Sequence, residues 1–157
     1  MLTPLPFLIV YFFLSALLVR EDLRSHTLPD KYLCPLLWTG LLYQLCVRPD
    51  FLASAVIGAM AGYTGFALIY WGYRLMFRQE GMGYGDVKYL GTLGAWHGWC
   101  VLPVLALVAA LMALLWIIIK TLLAREKAVI KNPLPFGPFL AAAGLCVGWE
   151  NLISFPL

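Results

Sequence analysis

Residues 89–119 read YLGTLGAWHGWCVLPVLALVAALMALLWIII, 31 positions with no charged side chain. One membrane crossing needs about 20 apolar residues, so this run is too long for an ordinary single span. His97-Gly98-Trp99 and Pro103 supply a break within it. Whether it crosses once or twice decides the architecture, and the charges on either side of it settle the choice. Charged residues cut the chain at 20–31, 48–50, 74–88 and 120–131, leaving apolar runs at approximately 2–19, 32–47, 51–73, 89–119 and 133–155. With two crossings inside 89–119 there are six helices. Ten of the 11 basic residues (Arg20, Arg24, Lys31, Arg74, Arg78, Lys88, Lys120, Arg125, Lys127 and Lys131) then share one side, leaving only Arg48 opposite. With one crossing the division falls to six against five. The positive-inside rule selects six crossings, with basic loops in the cytoplasm and both termini outside.

Composition agrees with a polytopic membrane protein. Hydrophobic residues make up 62% of the 157 and charged residues 12%, with a mean hydropathy of +0.85; soluble domains carry about twice that charge. The expectation is an all-α fold forming one membrane-embedded domain over 1–157, in contact with the lipid bilayer and with no nucleic-acid partner. Residues 2–19 lack a basic leader region and a small-residue cleavage site, so they read as a retained first helix rather than a signal peptide. Cys34, Cys46, Cys100 and Cys146 stand singly in apolar runs, without a C-x-x-C pair or a histidine at ligand spacing. They read as small core-packing residues and not as a metal site.

The ionisable residues that remain are the candidates for chemistry. Asp86 ends a glycine-dense turn, Gly-Met-Gly-Tyr-Gly-Asp-Val-Lys (81–88), that leads directly into the long apolar run. A carboxylate at a membrane edge is expensive unless paired or wet, which makes it a functional candidate. Glu21, Asp22, Asp30, Glu80 and Asp86 all fall on the cytoplasmic face, and Asp22 opens the segment Asp-Leu-Arg-Ser-His-Thr-Leu-Pro-Asp just after the first helix. Two carboxyls brought together near a low-dielectric boundary share one proton. The ionised member activates water while the neutral member protonates a carbonyl oxygen, which is peptide hydrolysis without a covalent intermediate. The alternative readings are that such acids face water or pair with nearby Arg and Lys, that the glycines serve helix packing, and that Asp30 is the N-cap of the second helix. His26 reads as a solvated loop residue, and His97 as an interfacial residue on the outer side beside Trp96 and Trp99.

Three blocks together resemble the type IV prepilin peptidases, bacterial GxGD aspartic proteases of the membrane. They are Asp22–Asp30, the 81–88 turn with its continuation Gly94-Ala95-Trp96-His97-Gly98-Trp99, and Leu-Pro-Phe-Gly-Pro-Phe-Leu (134–140). The resemblance implies a six-helix peptidase core in the bacterial inner membrane with its active site facing the cytoplasm, and Asp22 and Asp86 as the catalytic dyad. It implies supporting roles for Gly83 and Gly85 in the turn, for Lys88 as a positive charge near the pair, for Pro29 and Asp30 in the first block, and for Pro135, Phe136, Gly137 and Pro138 lining the site. It implies type IV prepilins or pseudopilins as substrates, cleaved behind a short basic leader, and no cofactor for proteolysis.

Longer members also carry a cysteine-rich cytoplasmic domain and methylate the new N-terminus with S-adenosylmethionine. That domain has no counterpart here, so the chain resembles a short form; N-methyltransferase activity is not expected, and S-adenosylmethionine is a cofactor only if methylation is retained. Glu21 also departs from the family, where an apolar residue commonly precedes the first aspartate. A competing class is an inactive membrane assembly factor or a small ion- or proton-coupled transporter using the same acids. Another is a relative that removes other leaders.

Overall fold

The computed structural model describes residues 4–79, 83–124 and 134–153, the last three of these by backbone alone. Glu80, Gly81 and Met82, and Arg125, Lys127 and Lys131, lie outside the described residues. Among the described residues six α-helices run in order: α1 (Leu5–Ser25), α2 (Asp30–Val47), α3 (Leu52–Phe77), α4 (Tyr84–His97), α5 (Leu102–Ala124) and α6 (Gly137–Ile153). A 3₁₀ turn, Pro49–Phe51, leads into α3. The long uncharged run divides as expected: α4 ends at His97, Gly98 turns the chain with φ +79°, and α5 begins one residue before Pro103. Pro103 is at home there because the first turn of a helix has no use for its missing N–H.

Helix ends differ from the apolar runs in an informative way. Helix α1 continues past Val19 to Ser25 and is capped by His26 in the left-handed region (φ 53°). Asp22 is therefore in the last turn of α1 and not in the loop after it. The helix carries on because Arg20, Glu21 and Leu23 are good helix formers, and helical hydrogen bonding does not require apolar side chains. Asp30 is the first residue of α2 and Pro29 takes the cap position without a side-chain bond, so the N-cap reading of Asp30 is off by one residue.

The exterior is as apolar as the core, and a few polar groups are enclosed within. Leu5, Ile9, Phe13, Trp38, Leu68, Leu75, Leu107 and Leu122 point outward, while Ser15, Asp22, Gln44, Asp86, Thr92 and His97 are buried. An exposed surface of large apolar side chains is the pattern of a membrane protein. Two segments, Pro49–Phe77 and Leu102–Leu123, are by themselves long and apolar enough to cross a bilayer. All four cysteines are free and exposed, correcting the expectation that they pack the core.

Helix α4 is the centre, with every residue from Val87 to His97 buried except Lys88. It packs most extensively on α3, and also on α2, α6 and α5. The α3 contact is backbone against backbone: a methyl on Gly94 would collide with the Gly58 carbonyl, and one on Gly62 with the Leu90 carbonyl at 2.8 Å. Small residues that let helices touch replace the hydrophobic driving force that lipid cannot provide. On the α2 side, the Trp96 indole lies over Gly40, donates to the Leu36 carbonyl at 2.9 Å and stacks on Tyr43, while Gln44 donates to the Trp96 carbonyl at 2.8 Å. His97 is fully enclosed between Tyr11, Gly144 and Gly148 and not interfacial as its place beside Trp99 suggested; only Trp99 is exposed.

Candidate active site

Helices α1 and α4 run antiparallel. At one end Tyr11 meets His97, with 3.4 Å between the hydroxyl and Nε2, and its ring lies against Trp96. The interval from Tyr11 to Asp22 equals that from Asp86 to His97, about 16 Å along either helix at 1.5 Å per residue. That register carries the last turn of α1 to the first turn of α4. Asp22 and Asp86 are buried there, 5% and 6% exposed, and the charge on Asp22 acts on Asp86.

Two local contacts fix these ends. Leu28, in the connection from α1 to α2, is buried against Gly85, where a methyl would stand 2.8 Å from the Leu28 Cβ. The Asp22–Asp30 segment is thereby seated on the glycine turn. Gly137, the first residue of α6, donates its N–H to the Asp22 Oδ2 at 2.8 Å. Unpaired N–H groups and the positive end of the dipole make a helix N-terminus a good seat for a carboxylate. Here a methyl on residue 137 would fall 2.7 Å from that oxygen, so only glycine permits the approach. Pro138 follows in the first turn, and Phe136 packs against the core beneath.

Both acids stand on polar helix ends, outside the apolar spans. Burial raises the Asp22 pKa above the usual carboxylate value, opposed by the Gly137 N–H and by the charge of His26. Burial and then the Asp22 charge push Asp86 up to about 7. Burial thus acts on both acids, while only Asp22 has a hydrogen-bond donor and a cationic neighbour opposing it.

The remaining predicted residues do not all converge. Lys88 turns away from the pair, as two positions along a helix require. Its Nζ donates to both oxygens of Asp30 at 2.8 and 2.9 Å, a bond that ties α2 to α4. Lys88 and Asp30 line an apolar cavity of about 460 Å³ between α2, α3 and α4 together with Leu33, Tyr63 and Thr92, on the side of α4 away from Asp86. Pro29 is half-buried at the start of α2. Gly83 precedes α4 with ordinary dihedrals, and its added methyl would stand 3.6 Å from Asp86, so no crowding demands glycine there. Pro135 is half-buried just before α6. Leu28, Ser15 and Tyr89, all buried around the pair, escaped the sequence reading. Helical spacing from the acids was the available signal for the last two.

Residues 8–118, which include both acids, match the model of the type IV leader peptidase family. The chain is 55% identical over 150 residues to the leader peptidase HopD of Escherichia coli, with 96% of each chain covered. It is 54% identical over 156 residues to the leader peptidase HopD of Salmonella typhimurium, covering 99% of each. A prepilin leader peptidase/N-methyltransferase of Aeromonas salmonicida is 46% identical over 134 residues, which make up 85% of this chain and 45% of that protein. No solved structure gives a significant match. The polytopic helical fold and these likenesses together make the chain a membrane peptidase, and it belongs to the type IV leader peptidase family.

Proposed function

We propose that this chain is an aspartic endopeptidase of the bacterial inner membrane that removes the short leader of type IV prepilins or pseudopilins at the cytoplasmic membrane edge. The observation that carries the reading is the pair of buried carboxyls, Asp22 and Asp86, at facing ends of α1 and α4, where the charge of Asp22 raises the pKa of Asp86. The basic-loop bias supports periplasmic termini and a cytoplasmic site. The relatives named as prepilin leader peptidases support the substrate class.

In the proposed step the ionised Asp22 takes a proton from water as the water oxygen attacks the scissile carbonyl carbon. Protonated Asp86 gives its proton to the carbonyl oxygen. The tetrahedral adduct collapses with cleavage of the C–N bond and proton delivery to the leaving amine, so one water is consumed and both carboxyls are regenerated. No cofactor enters, and S-adenosylmethionine has no part in this step. The Gly137 N–H keeps Asp22 the more easily ionised partner. Asp22→Asn and Asp86→Asn are to be tested separately against a co-expressed type IV prepilin, following precursor size. Loss of processing in each variant, with both proteins present in the membrane, is the expected result. Full processing by either variant overturns the dyad, and an unprocessed precursor with the unaltered protein overturns the substrate assignment.

A further inference from the structure

The two acids are held by different neighbours. Asp22 is fixed by the Gly137 N–H of α6 at 2.8 Å. The first turn of α4, which carries Asp86, is gripped by the stretch that follows Asp22 in sequence. His26 closes α1 through its N–H to the Asp22 carbonyl at 2.9 Å, and two residues later the buried Leu28 rests on Gly85, immediately before Asp86. Asp30, two residues further on, accepts from the Lys88 Nζ with both oxygens, at 2.8 and 2.9 Å. Lys88 lies two residues after Asp86, so Asp86 sits between two points of attachment, one apolar and one ionic. The Lys88 Nζ is also 5.5 Å from the centre of the Tyr84 ring, and Tyr84 bonds the Tyr63 hydroxyl and packs against Tyr70 of α3. Stability does not account for the ion pair. The Lys88 and Asp30 side chains are 35% and 59% exposed, and pairs so open add little to folding. Geometry at the acids is the more sensitive quantity, since a displacement of about 1 Å in a reacting group lowers the rate about a hundredfold.

We propose that Asp30 and Lys88 are positioning residues, their ion pair and the Leu28–Gly85 contact forming a clasp that sets Asp86 opposite Asp22. Neither residue touches the reacting atoms: Lys88 faces away from the acid pair and acts through the helix turn it shares with Asp86. One short segment serves both acids, because residues 22–30 carry Asp22 at their start and reach the Asp86 turn with Leu28 and Asp30. Loss of the ionic half leaves the fold in place and lets the start of α4 shift against the end of α1.

The inference rests on the acid pair being the catalytic one, and the test separates the two. Asp30→Asn, Lys88→Met, their double variant and Lys88→Arg, each in the full chain, are reconstituted in lipid and assayed on a purified type IV prepilin, with kcat and KM measured separately. The two neutralising changes are each expected to lower kcat about tenfold, with KM within about twofold and Tm within about 3 °C of the unaltered protein. The double variant loses no more than either single one, because one ion pair is lost in every case. Lys88→Arg, which still pairs with a carboxylate, keeps kcat within about twofold. A substrate-free measurement accompanies these: the native cysteines are replaced by serine, nitroxides are placed at the exposed positions Ser25→Cys and Gly83→Cys, and their separation is read by pulsed EPR. Asp30→Asn and Lys88→Met are expected to broaden that distance distribution and Lys88→Arg to leave it narrow. An unmoved distribution overturns the clasp, as do an unchanged kcat, losses that add in the double variant, or a raised KM at constant kcat, which marks a substrate contact instead. Cleavage surviving Asp22→Asn or Asp86→Asn overturns the proposed dyad, and the EPR distances still decide the clasp.

Discussion

Gly137→Ala is the sharpest probe of how the site sets its charge. The added methyl would lie 2.7 Å from the Asp22 Oδ2 and 3.1 Å from its Cγ, so the carboxylate must leave the Gly137 N–H that it accepts at 2.8 Å. Gly137 is not at positive φ, and alanine fits the backbone. A hydrogen bond to a charged group contributes about 1.5–3 kcal/mol. With about 1.4 kcal/mol per pKa unit, and part of the loss made good by solvent, the midpoint of Asp22 ionisation moves up by about one pH unit. The sign follows from the lost bond, which stabilised the charged form. The limb of the pH–rate curve that reports Asp22 deprotonation moves to higher pH, cleavage on that limb falls about tenfold, and the plateau above it is largely kept. The assay is cleavage of purified prepilin by reconstituted enzyme across pH, with thermal unfolding as a control for folding. An unmoved limb, or an equal loss at every pH with the midpoint unchanged, would refute the reasoning.

Asp86 makes stability itself depend on pH. Its carboxyl ionises near 7 in the folded protein against 3.8 ordinarily, so its protonated form favours folding below about pH 4 and that contribution disappears as pH rises through 7. The Tm in detergent is expected to fall between pH 5 and 8 in the unaltered protein and to fall less in Asp86→Asn; equal slopes would contradict the burial argument. Gly94→Ala forces α4 off the Gly58 carbonyl and is expected to lower stability by about 3 kcal/mol or more, whereas Gly65→Ala, with open space around it, changes stability by less than about 1 kcal/mol. Equal Tm values for the two variants would show that α3 and α4 do not depend on that contact.

The six-helix plan was legible because charge bias is a global signal: moving one crossing reverses the side of a whole basic loop. The acids were legible because carboxylates stand out against an apolar background. Which apolar residues face inward was not legible, since lipid and core are equally apolar and hydropathy does not distinguish them. Cys34, Cys46, Cys100 and Cys146 therefore read as core and lie outside. His97 read as interfacial because its immediate neighbours include Trp99, while the residues that enclose it, Tyr11, Gly144 and Gly148, come from distant parts of the chain. The resemblance implied Lys88 as a positive charge near the acid pair, yet helical geometry turns it toward Asp30.

The fourth helix has a further bearing on how the protein is made. With 14 residues it reaches about 21 Å, and it carries Asp86, Lys88 and His97 within that length. Such a segment is a poor candidate for independent entry into a bilayer from the translocon. Its seating against Gly58 and Gly62 of α3 makes the preceding helix its natural escort, and insertion of α3 and α4 as a pair is the expected route.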